Sequence, residues 1–275
     1  MKTSDNNTFS ITYAGVACNI IAPGEWGKYF KKLYEQSSVL TYSDTASHAT
    51  HTAALTIHKT RTRDIRFTFT SEKNLTRHTI YASDTPIFLF PSVHQCICRI
   101  LNIMFHRSGG FILHASSVHS NGRTYVFAGT SGRGKSTIAD IIAQKHPGTL
   151  ILSDNSAFIR KQNGRFVLFP SPYIEPNRLA MLQTKFRPLP PYEIDAVYFP
   201  FHAKKNIVSD LSIHDKISFI QQNSHIPSAP GILFTKSEIT TFAKTVFSFI
   251  QDVPIHKLEF VKSSAFLYNI FHHDQ

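Results

Sequence analysis

From Phe9 to Ile21 apolar and polar residues alternate, the two-residue period of a half-buried strand. Glu25–Gln36 follows Pro23-Gly24 and reads as a short helix, and Ser43–Thr52, rich in Ser, Thr and His, as a loop. Ala54–His58 and Ile65–Thr70 alternate again, with shorter β runs at Thr79–Tyr81 and Ile87–Phe90. The period then changes. Val93, Cys96, Ile97, Ile100, Leu101 and Met104 recur at three- and four-residue steps, predicting a helix over Ser92–Phe105 with Ser92 as its N-cap after Pro91. Residues 1–105 thus form a small, mainly β unit carrying some helix, and 106–275 a second domain.

The second domain opens with β runs at Phe111–Val118 and Thr124–Phe127, joined through Asn121-Gly122, a pair suited to the positive φ of a tight hairpin. Lys135–Gln144 is helical and is stopped by Pro147-Gly148. Thr149–Leu152 is a short buried strand ending at Ser153-Asp154-Asn155. Phe158–Arg160 and Phe166–Phe169 flank a second hairpin turn at Asn163-Gly164. Pro170–Pro176 and Phe186–Pro191 read as exposed, mobile proline-rich stretches. Further on come a strand at Ala196–Phe199, helices at Ile213–Asn223 and Lys236–Gln251, and a strand at Ile255–Phe260. No internal repeat stands out. The alternation of strands and helices sets the fold class as α/β.

Composition changes this picture little. Apolar residues at 42% and charged residues at 17% are globular values. No apolar run approaches the roughly 18 residues of a membrane span, and the polar start lacks a signal-peptide layout, so a soluble cytoplasmic protein is expected. Three cysteines make no disulfide framework; Cys96 and Cys98 read as buried thiols. The net charge of +11 is spread along the chain, with its densest cluster at Lys59, Arg61, Arg63 and Arg66 beside Lys73 and Arg77. That cluster is a solvated face or a dock for an acidic partner. No nucleic-acid motif accompanies it, so neither nucleic acid nor membrane is an expected partner.

The glycines change it most. Six of twelve fall within 26 residues, at 109, 110, 122, 129, 132 and 134. Gly129-Thr130-Ser131-Gly132-Arg133-Gly134-Lys135-Ser136 matches the phosphate-binding P-loop pattern, between a strand and a helix as that pattern requires. Such a loop turns successive backbone N–H groups toward one concavity, and the helix N-terminus adds partial positive charge. Lys135 reaches the β- and γ-phosphates of ATP, the Ser136 hydroxyl ligates Mg²⁺, and Thr137 packs or caps beside them. Transfer needs a further group near the γ-phosphate. Asp154, ending the strand one strand–helix–strand step later, is the candidate as base or metal ligand. In a parallel arrangement it would lie beside Lys135 and Ser136. His114, on the strand before the P-loop strand, is a second candidate.

The run Leu113-His114-Ala115-Ser116, the P-loop hairpin and Leu152-Ser153-Asp154 together resemble the catalytic domain of HPr kinase/phosphorylase. Closer still are HPr-kinase-like proteins such as the kinases of lasso-peptide precursors. The resemblance covers residues 109–156 and continues weakly through Phe169–Tyr173 and Val253–Phe260. It implies a P-loop kinase core related to phosphoenolpyruvate carboxykinase. By position, His114 matches the family's active-site histidine and Asp154 the first acid of its aspartate pair, the proton acceptor. The second acid is Asn155 here, able to hold Mg²⁺ but not to take a proton. The segment that accompanies phosphorylase activity is not matched; Ile174–Leu179 lies in the comparable region and does not fit. The resemblance also implies that Tyr173–Arg187 meets the acceptor, with Arg178, Lys185 or Arg187 as clamps. The expectation is a one-way kinase acting on Ser or Thr of a peptide or small protein. A small-metabolite kinase and a nucleotide-binding regulatory module stand as alternatives, and homo-oligomerisation is left open.

Overall fold

The computed structural model describes residues 6–35, 37, 40–47, 49, 51–60, 68–71, 76–83, 86–172, 189–225 and 234–272. The fold is mixed α/β, with three sheets and six helices among the described residues. It divides into two compact units: Met1–Ser108 with Lys185–Leu189 and Pro227–Glu238, and Gly109–Thr184 with Pro190–Ile226 and Ile239–Gln275. No helix among the described residues is long and apolar enough to cross a membrane.

Unit one contains β1 (Asn6–Tyr13), β2 (Val16–Pro23), α1 (Gly24–Tyr34), β3 (Thr41–Ser43), β4 (His51–Thr60), β5 (Thr68–Ser71), β6 (Arg77–Ser83) and α2 (Pro86–Arg107). Its sheet runs β3-β1-β2-β4-β6-β5. Alternation does the work here: Phe9, Ile11 and Tyr13 on β1 and Ala53, Leu55 and Ile57 on β4 are all buried. The 3.6-residue stripe of α2, through Val93, Ile97, Ile100, Leu101 and Met104, is buried too. The thiols of Cys18, Cys96 and Cys98 are free and buried, and burial pushes that of Cys98 up to about 12.

Two sequence expectations change in this unit. Phe9–Ile21 is two strands, paired through a two-residue turn at Ala14-Gly15 with φ of 50° and 77°. Alanine rarely takes a left-handed conformation, so no turn signal marked the break. Ile87–Phe90 is helix rather than strand, and α2 starts at Pro86 rather than after a Ser92 cap. Proline's fixed φ suits a helix start. Of Ile65–Thr70, residues 65–67 lie outside the described set, as do Arg61, Arg63 and Lys73; Arg77 is exposed.

Unit two holds β7 (Gly110–Leu113), β8 (Ala115–Ser120), β9 (Arg123–Ala128), α3 (Lys135–Lys145), β10 (Leu150–Ser153), β11 (Ala157–Gln162) and β12 (Arg165–Phe169). There follow β13 (Tyr192–Glu193), β14 (Ala196–His202), β15 (Ile207–Asp210), α4 (Ile213–Asn223), β16 (Ser224–His225), α5 (Lys236–Asp252, belonging to this unit from Ile239 on), β17 (Ile255–Phe260) and α6 (Phe266–His272). One sheet is ordered β10-β8-β9-β14-β17-β15 and the other β13-β12-β11-β7-β16. In the first, α3 buries Ile138, Ala139 and Ile142 against Val118, Tyr125, Phe127, Tyr198 and Phe260.

The run Phe111–Val118 is not one strand. It breaks at His114, where the chain leaves one sheet and enters the other. The chain crosses back between β10 and β11, through Asp154, Asn155 and Ser156. The start of the proline-rich stretch is likewise corrected. Pro170 and Ser171 are buried, and the Ser171 amide donates to the Leu152 carbonyl at 2.7 Å. Residues 173–188, and with them Arg178, Lys185 and Arg187, lie outside the described set.

Candidate functional site

The last residue of β9 is Ala128, and the glycine-rich segment that follows ends at Gly134, the N-cap of α3, with φ of 88°. Only glycine fits there. A Cβ would stand 2.6 Å from Cζ of Phe260 and 3.3 Å from Cε1 of His202, in a left-handed conformation besides. The loop therefore lies close against the ends of β14 and β17, and its backbone amides lead into the N-terminus of α3. Arg133 turns away, its guanidinium 4.6 Å from the centre of the Phe201 ring.

A cavity of about 280 Å³ opens beside this loop. From the loop and helix it is lined by Ser131, Gly132, Gly134, Lys135, Ser136 and Thr137, and from elsewhere by His114, Asn155, His202 and Lys262. Among the described residues no carboxylate lines it, and Asp154 stands back from the lining. Of the residues expected to bind nucleotide, Gly129, Thr130 and Arg133 stand back from this lining; the Thr130 carbonyl accepts from Lys135 Nζ at 3.1 Å.

Lys135 Nζ also lies 3.0 Å from His114 Nε2. An ammonium can only donate, so with Lys135 charged the imidazole accepts at Nε2 and carries its proton on Nδ1. Burial holds the Lys135 pKa below the ordinary lysine value, opposed by the negative charge of Asp154. The backbone of His114 is fixed on both sides. Its amide donates to the Asn223 carbonyl at 2.7 Å, and its carbonyl accepts from the Gly129 amide at 3.2 Å.

Asp154 reaches the site by a different route from the parallel neighbour expected. β10 does not pair with β9; β8 lies between them, antiparallel to both. Two antiparallel steps restore the direction, so β10 and β9 run the same way and end at the same edge. The start of β8 lies at that edge, and this brings in a residue the sequence reading left without a role. Ser116 is fully buried, and its Oγ donates to the Asp154 carbonyl at 2.7 Å. It lies 3.4 Å from Asp154 Oδ1 and 3.4 Å from Ser136 Oγ. One hydroxyl thus joins the two oxygens expected to share a metal. Beneath it Ser117 and Ser153 clasp β8 to β10 at 2.6 Å.

Ser116 stands in the run that carries the resemblance, but alternation alone marks it only as a strand residue. His202 and Lys262 were also unmarked, because nothing local in the sequence ties the ends of β14 and β17 to the loop. Among the described residues no group of three or more His, Cys, Asp or Glu is arranged to hold a metal. The donors at hand are the Ser136 hydroxyl, the Asp154 carboxylate and the Asn155 amide. Such a small set of hard oxygens fits Mg²⁺, which keeps waters and substrate phosphate oxygens as its other ligands. No protein-family model matches the sequence, and no curated protein matches it.

Proposed function

We propose that this protein is an ATP-dependent kinase that transfers the γ-phosphoryl group to a Ser or Thr hydroxyl of a peptide or small protein, on a P-loop core of the HPr-kinase type. The observation that carries this reading is the convergence of four groups at one sheet edge. Lys135 is in contact with His114, and Ser136 is linked through Ser116 to Asp154. A phosphate-binding loop alone accounts for Lys135 and Ser136. It does not account for a carboxylate and an imidazole brought to the same place by two separate crossings between sheets.

In this reading the loop amides and Lys135 bind the β- and γ-phosphates. Mg²⁺, when bound through Ser136, Asp154 and Asn155, neutralises charge on the transferring group. The acceptor hydroxyl attacks the γ-phosphorus and the bond to the bridging β–γ oxygen breaks. The hydroxyl proton passes to the Asp154 carboxylate, and ADP leaves. His114 keeps Lys135 aimed at the cavity.

Asn155 favours a second reading. An amide lining the cavity where the family has an acid suits a module that binds nucleotide with little transfer. Incubation with γ-labelled ATP, Mg²⁺ and Ser/Thr peptide libraries separates the two. Label on a peptide hydroxyl, lost in Lys135→Ala, supports the kinase. Tight ATP binding without label on any acceptor supports the module instead.

A further inference from the structure

β9 is a dividing line in its sheet. On one side stand β8 and β10, with His114, Ser116, Asp154 and Asn155 at their loop-side ends. On the other stand β14 and β17, parallel to β9, so that their carboxyl ends share the edge where the P-loop begins. His202 is the last residue of β14, and Lys262 follows β17 by two residues. Both line the cavity, facing the loop from the side away from the acid.

The chemistry of this second wall is specific. The His202 ring packs tilted against Phe260, with centroids 4.9 Å apart and planes 37° apart, and Phe260 is the ring that requires glycine at 134. His202 is thereby fixed relative to the loop backbone. Lys262 is an exposed cation at the rim. The nearest acid on β17, Glu259, is engaged by Lys257 at 2.5 Å. Among the described residues no carboxylate in the lining neutralises the wall. A nucleotide is longer than its transferable end. With the γ-phosphate beside Asp154 and Lys135, the His202 and Lys262 wall is the basic side of the cavity that remains for the rest of the chain of phosphates.

We propose that His202 and Lys262 bind the α-phosphate of the nucleotide, and so fix which end of the donor faces Asp154. This rests on the kinase reading for the position of the γ-phosphate. Lys262 supplies a charge-assisted hydrogen bond, and His202 a second donor held in place by its tilted contact with Phe260.

Isothermal titration of the full chain with ATP, with ADP and with AMP, each with Mg²⁺, tests it. ATP and ADP both carry an α-phosphate and AMP carries it alone, so Lys262→Ala and His202→Ala are expected to weaken ATP, ADP and AMP by the same factor, about tenfold each. Weakening of ATP and ADP with AMP unchanged would put the β-phosphate at this wall and overturn the proposal. Lys262→Arg is expected to keep most of the affinity. Loss confined to ATP would put the γ-phosphate against this wall and overturn the proposal; unchanged affinity for all three would overturn it as well. Lys135→Ala separates this from the parent reading. ATP binding by the wild-type chain that Lys135→Ala abolishes leaves the P-loop assignment standing whatever the wall does. A wild-type chain that binds neither ATP nor ADP overturns both.

Discussion

In unit one a two-residue turn, Ala14-Gly15, joins β1 to β2; in unit two Asn121-Gly122 joins β8 to β9 with nearly the same φ angles. From there the wiring continues in step. A helix follows the second strand, the third strand pairs outside the first, and the fourth pairs parallel to the second. The fifth flanks the sixth, and the sixth pairs parallel to the fourth. The sheets β3-β1-β2-β4-β6-β5 and β10-β8-β9-β14-β17-β15 are therefore one topology used twice. Even single positions correspond. Ser10 opposite Ser43 occupies the place of Ser117 opposite Ser153, and Asp44 then occupies the place of Asp154.

What differs is the join between second strand and helix. In unit one Pro23 ends β2 and Gly24 opens α1 directly. In unit two the residues from Gly129 to Gly134 intervene. Without that loop the acid at the strand end has another fate. Asp44 is exposed, accepts from Lys31 at 2.7 Å and from the Tyr42 hydroxyl at 3.0 Å, and is held below the ordinary carboxylate range, chiefly by Lys31. The topology brings the residue after this strand to the sheet edge in both units; only in unit two does a glycine loop lie beside it.

The sharpest way to break this comparison is a matched pair of substitutions. Asp154→Asn is expected to cut phosphotransfer by about 10²–10⁴-fold with nucleotide binding kept, and Asp44→Asn to leave transfer unchanged. Equal effects in a single-turnover assay would show that position in the topology, rather than the loop, decides the role.

Next in size is Gly134→Ala. The left-handed backbone and the contact with Phe260 together predict a loss of about 2–3 kcal/mol by urea denaturation. Phe260→Leu in the same chain should recover the steric part only, which a double-mutant cycle reads directly.

Ser116→Ala is expected to lower transfer by about tenfold and to raise the Mg²⁺ concentration needed for half activity, while ATP affinity stays put. A uniform loss with no change in metal dependence would make Ser116 a packing residue like its counterpart Phe9, three residues closer to the chain start than Thr12.

The smallest effect concerns Lys135. Burial lowers its pKa, so between the folded value and 10.5 the unfolded chain binds more protons than the folded one. Stability gains with rising pH across that window, and affinity for nucleotide falls across it as the ammonium is lost. Lys135→Met is expected to melt about 2–4 °C above the parent near neutral pH, with the difference shrinking toward pH 10.5. Thermal melts over a pH series check the sign.

Much of the site was legible because its parts are local. A glycine pattern between a strand and a helix, and an acid at the next strand end, can be read along the chain. The Asn121-Gly122 turn was legible for the same reason, whereas the Ala14-Gly15 turn was not, since alanine carries no turn signal. The shared topology escaped notice because pairing order is set by contacts distant in sequence, and the two units share few side chains to mark it. Ser116 escaped because its partners lie 20 and 38 residues away. The insertion of β8 between β9 and β10 is likewise a property of the sheet, not of any one segment.

The two crossings between sheets have an evolutionary consequence. Within a strand, the pleat dictates which residues face the core, and exchanging one for another chemistry damages the packing. His114 and Asp154–Asn155 sit between strands and answer to neither pleat. Their side chains can be replaced without unpacking either sheet. A new reactive group could be tried at these positions while the scaffold stayed intact.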